Sequence, residues 1–104
     1  MCSYVTEVAS VSGTAKGPAG WMAIDTANVY FDHPQAAPFD HALNIDFVNR
    51  KEGSPVRVAV ELSAESALDL VEKVLAALDH GAAEHGEAPD LTRRVKALRA
   101  VPRE

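Results

Sequence analysis

The hydrophobic period of this chain changes once, at Ser63. Before it, apolar residues recur at every second position; after it, at every third and fourth. "ALNIDFVN" sets Leu43, Ile45 and Phe47 against Asn44 and Asp46. "VRVAVEL" repeats the pattern with Val56, Val58, Val60 and Leu62, and "WMAIDTANVYF" sets Ala27, Val29 and Phe31 against Asn28 and Tyr30. "CSYVTEVASV", rich in β-branched and aromatic residues, supplies a further strand at the start. "SGTAKGPAG", with three glycines and a proline, is expected to be a turn or mobile loop.

Ser63 is a good N-cap, and Glu65 and Asp69 sit where the positive end of a helix dipole would be. Leu68, Val71, Val74, Leu75 and Leu78 then form one apolar stripe, with Asp69, Glu72, Lys73 and Asp79 on the water side. Gly81 is placed to end this helix, and "HGAAEHGEAP" reads as a linker. Asp90 is placed to cap a short second helix carrying Leu91, Val95 and Leu98. Strands grouped before helices indicate an α+β fold. The arrangement expected is a four-stranded antiparallel meander packed on one long helix, with a short C-terminal helix. Residues 1–80 would form a single domain, and residues 81–104 a linker and a short basic helix. The second sheet face would carry Asn28, Tyr30, Asn44, Asp46, Arg57 and Glu61. A sheet this small with free edges points to a homodimer.

Composition narrows the function classes. The chain of 104 residues carries a formal charge of −5, and its last twelve residues hold Arg93, Arg94, Lys96, Arg99 and Arg103 against Glu104 alone. The remainder is therefore strongly acidic, which argues against nucleic acid as a partner because phosphate contacts need a basic surface. The basic segment itself reads as a solvated helix face. "MCSYVTEVAS" lacks the basic and apolar regions of a secretory signal, and no apolar run reaches the roughly 18 residues of a membrane span. With one cysteine there is no internal disulfide. A cytoplasmic protein without nucleic-acid or membrane partners is expected.

The stretch most suggestive of chemistry is "FDHPQAAPFDH", in which Phe-Asp-His occurs twice and the histidines, His33 and His41, lie eight positions apart. Extended, that segment would separate them by up to about 26 Å. As the connection of an antiparallel hairpin, its ends return to neighbouring strands about 4.8 Å apart, and the two imidazoles would converge. Two neutral imidazoles suit zinc, copper, nickel or iron. Cys2 is the natural third ligand, giving a three-ligand site with a position open for an activated water. Asp32, Asp40 or Asp46 would orient the imidazoles, or one carboxylate would replace Cys2 and favour iron. Against this, the spacing matches no established metal motif, and Asp and His also occur in turns for local hydrogen-bonding reasons. Cys2 has two further readings: a small buried hydrophobe, or, after removal of Met1, a thiol beside an α-amine.

Other motifs carry less. "SGTAKGPAG" fits neither phosphate-loop pattern, lacks a following helix, and reads better as a flap over the sheet. There is no G-x-S-x-G and no C-x-x-C, and His80 and His85 sit where a helix end and linker are expected. With "MCSY", "GWM", "VYFDHP", "LNIDF" and "VAVELSAESA", the chain resembles a family of small bacterial proteins that begin with Met-Cys and share these segments. The resemblance covers roughly residues 1 to 78, includes Cys2, Asp32, His33 and Asp46, and implies a domain end near Leu78 with an appendage beyond. It supplies no activity.

Two functions follow from different classes. One is a small metal-binding protein, possibly a metalloenzyme, with a divalent transition metal at His33, His41 and Cys2. The other is a metal-free dimeric module in which the polar face, with Trp21 and Tyr30, binds a small molecule or a protein while the helix makes the dimer. Thiol chemistry at Cys2 is a third reading.

Overall fold

A computed structural model describes residues 5–53, 57–85 and 89–100. The element order is β1 (Glu7–Gly17), β2 (Gly20–Asp32), β3 (Ala42–Val48), β4 (Arg57–Leu62), α1 (Ala64–His85) and α2 (Pro89–Ala100). The strands form one antiparallel sheet in the order β1-β2-β3-β4. This is the α+β meander that the change of period predicts. Residues 1–64 and 65–104 form two compact units.

The alternation read from the sequence sets the faces. Tyr30 lies opposite Asn44, and Asn44 opposite Glu61; Asn28, Asp46 and Ala59 form the next cross-strand row. These residues share the polar face. Val29, Ile45 and Val60 make one row of the other face, and Ala27, Phe47 and Val58 the next. That face is the apolar side of the sheet.

β1 departs from expectation. "SGTAKG" is strand rather than loop, with Thr14 opposite Ala23 and Lys16 opposite Trp21. The pairing register shifts between Ser10 and Gly13, where β1 carries one residue more than β2. Such a bulge bends a strand and strengthens its twist. The far end of β1 accordingly swings towards β4: a methyl group on Gly17 would touch Val58 Cγ2 at 3.9 Å. Only Pro18 and Ala19 separate the two strands, and Gly20 takes a φ of 113° that other residues rarely adopt.

α1 begins directly after Ser63 but runs through Gly81 to His85, so the first half of the expected linker is helix. Within residues 65–104, Ala67 and Val95 are buried, and Arg99 on α2 pairs with Asp79 on α1 at 2.9 Å. Among the described residues no helix is long and apolar enough to cross a membrane.

Candidate functional site

The connection from β2 to β3, residues 33–41, folds towards the polar face and is fastened there by one carboxylate. The amides of Gln35, Ala36 and Ala37 all donate to Glu61 on β4, the latter two to Oε1 at 2.9 Å each. Three consecutive N–H groups aimed at one carboxylate favour its ionised form, and they hold the Glu61 pKa below its ordinary value of 4.5. At the base of the loop, buried Asn44 donates to the carbonyls of Ala42 at 3.0 Å and Asp32 at 3.4 Å. Asp32 Oδ1 in turn accepts the His33 amide at 2.7 Å.

This fastening brings the two histidines together. The rings of His33 and His41 lie 4.6 Å apart between centroids, tilted by 31°. Phe31 stacks on His41 at 5.8 Å and 15°, so the His41 ring contacts both Phe31 and His33. His33 Nδ1 lies 2.8 Å from the main-chain carbonyl of Asp40. A carbonyl only accepts, so Nδ1 carries the proton, and the lone pair of the neutral ring resides on Nε2. Metal-binding histidines are oriented in the same way. Both histidines are exposed.

The other predicted residues take varied places. Asp32 and Asp40 act on the loop itself, Asp40 through its main chain. Asp46 lies on the sheet, where its Oδ1 pairs with Arg57 at 3.0 Å and its Oδ2 accepts the Tyr30 hydroxyl at 3.0 Å. Burial, and then the neighbouring Asp46 carboxylate, push the Tyr30 hydroxyl above its ordinary 10.0. Trp21 and Tyr30 lie nine residues apart on β2 and therefore face opposite sides of the sheet. Cys2 lies outside the described residues. Among the described residues, no three His, Cys, Asp or Glu side chains are grouped closely enough to hold a metal.

Beside the histidine pair lies a polar cavity of about 200 Å³, lined by Tyr30, His33, Asn44, Asp46, Arg57 and Glu61 among others. His33 thus belongs both to the histidine pair and to the cavity wall. The roles of Glu61 and of the 35–37 amides were not foreseen from the sequence. Alternation places Glu61 on the polar face, but no pattern in "HPQAAP" signals which way its amides point.

The chain belongs to a family of unknown function, DUF6295, whose profile matches residues 1–89. No curated protein and no solved structure matches it.

Proposed function

We propose that this is a small cytoplasmic metal-binding protein in which His33 and His41 hold a divalent transition metal (zinc, copper, nickel or iron) at the edge of the polar cavity. The observation that carries the reading is the pair of imidazoles 4.6 Å apart, one of them fixed with its lone pair on Nε2 by the Asp40 carbonyl. Imidazole suits these metals, and two such donors leave coordination positions for a third ligand and for water. Cys2 is our candidate for the third ligand. Because His33 also lines the cavity, a small polar molecule held by Tyr30, Asn44 and Arg57 would lie beside the metal. If turnover occurs, the metal would act as a Lewis acid or acidify a bound water.

The test is metal content of tag-free protein by mass spectrometry, beside a His33→Ala, His41→Ala double variant. The reading predicts about one metal per chain in the parent, as expected for a mononuclear site, and none in the variant. A parent that takes up none after incubation with zinc, copper, nickel and anaerobic ferrous iron would sink it.

A second reading rests on the cavity alone: a metal-free module that binds a small ligand on the polar face. It predicts metabolite-induced NMR shifts at Tyr30 and Asn44 that survive the double histidine substitution.

We also propose a homodimer, which belongs to the second reading and is compatible with the first. Its support is the apolar stripe of α1, where Leu68, Val71 and Val74 are each about half exposed, with Leu98 on α2 more exposed still. Light scattering on a Leu68→Glu, Val71→Glu variant should give the monomer mass against a dimeric parent.

A further inference from the structure

We infer that Glu61 is the positioning residue of the histidine pair: its carboxylate, by gathering the Gln35, Ala36 and Ala37 amides, sets the loop so that both imidazoles present to one metal. The inference rests on the metal reading above and adds to it a residue on a different strand. Residues 35–37 lie between the two histidines in sequence, so whatever fixes their path fixes the separation of the rings.

The geometry is specific. One oxygen of Glu61 takes two amides and the other takes the third, so the side chain is engaged at both oxygens. Asn44 secures the loop where it meets β3, Asp32 secures the His33 amide, and Glu61 takes the three amides in the middle of the loop. Without Glu61, three adjacent amides would turn to water, and "PQAAP" has no helical or hairpin pattern of its own to keep it in place. A metal binding the freed loop would then have to order it, and affinity would fall.

A built-in control separates positioning from plain stability. Asp25 does the same work at the other end of the sheet, where it accepts the Arg50 amide at 2.9 Å and the Lys51 amide at 3.1 Å. That turn carries no histidine. Glu61→Ala should therefore weaken metal binding while Asp25→Ala leaves it unchanged, although both lose a brace of the same kind.

The experiment is calorimetric titration of the full chain with Zn²⁺ alone, for the parent, Glu61→Ala, Glu61→Gln and Asp25→Ala. Partners that orient metal ligands typically contribute about 10–100-fold in affinity, and a loss in that range is expected for Glu61→Ala. Glu61→Gln, which keeps an accepting oxygen, should recover part of it. Asp25→Ala should match the parent. Equal affinity in the parent and Glu61→Ala overturns the inference, as does an equal loss in Asp25→Ala. Hydrogen exchange of residues 35–37 in metal-free protein distinguishes the two ways of failing. A parent that binds no Zn²⁺ yet protects these amides in a Glu61-dependent way refutes the metal reading, and Glu61's role in it, while leaving the loop lock standing. Unprotected amides in the parent refute the lock itself.

Discussion

At one end of β3, Asn44 and Glu61 hold the 33–41 loop; at the other, Asn49 and Asp25 hold the 49–53 turn. Each end combines a buried asparagine that engages main-chain groups with a carboxylate from a neighbouring strand that collects successive amides. The turn is also closed by its own backbone: the Gly53 amide donates to the Arg50 carbonyl at 3.2 Å, with Gly53 at a φ of 63°. The loop carries two prolines and both histidines. The same device therefore closes a connection at one end and shapes a candidate site at the other. Bracing by a carboxylate is a general means of stiffening irregular backbone on a small sheet. What the brace is for depends on the residues it carries.

The largest effects on stability should come from the asparagines. Asn44→Ala strands the carbonyl of buried Ala42 and should lower unfolding free energy by about 1–3 kcal/mol in denaturant titrations. Asn49→Ala, whose partners Ala23 and Glu52 are exposed residues, should cost less, about 0.5–1.5 kcal/mol. The two sites are about 17 Å apart along the strand, so the double variant should show additive losses. A strongly non-additive pair would show that the two ends are coupled and would break the comparison.

The carboxylates should differ in pH dependence. Hydrogen bonds lower the folded-state pKa of both Glu61 and Asp25, the first through the Gln35, Ala36 and Ala37 amides, the second through the Arg50 amide and then the Thr26 hydroxyl. A group of this kind stabilises the fold fully above its unfolded pKa and loses that contribution as pH falls through the folded value. The stability gap between the parent and Glu61→Gln should be constant above pH 4.5 and close below it. For Asp25→Asn the closing should begin lower, from 3.8. Gaps that stay constant into strong acid would mean that neither charge matters.

Smaller effects belong to the cavity. Arg57 is about half exposed where it pairs with Asp46, and Arg57→Ala should cost no more than about 1 kcal/mol. In a Tyr4→Phe background, phenolate absorbance should show Tyr30 ionising above 10.0, and Asp46→Asn should bring it down. The raised value favours the neutral phenol, so its contribution is present at neutral pH and lost as pH rises through the folded pKa.

Much of this molecule was legible in its sequence where side chains alternate. β2, β3 and β4 and the membership of the polar face follow from the period of two, and the start of α1 follows from Ser63. The second half of β1 was not legible, because "SGTAKG" has the composition of a loop and becomes strand only by pairing with β2 through a bulge. The end of α1 was missed because one glycine costs a helix only about 1 kcal/mol relative to alanine, and Ala82, Ala83 and Glu84 favour continuation. The nearness of the histidines could be argued from hairpin closure alone. Their orientation could not, since it depends on the Asp40 carbonyl and on a carboxylate twenty residues beyond the loop.

The most direct test of the central claim is a histidine-selective ¹H–¹⁵N NMR experiment on ¹⁵N-labelled protein, with and without Zn²⁺. The account predicts that metal-free His33 shows its proton on Nδ1. On adding Zn²⁺, Nε2 of His33 and one ring nitrogen of His41 should shift together at equal stoichiometry, with His80 and His85 unmoved. Shifts confined to His80 or His85, or none at all, would contradict it.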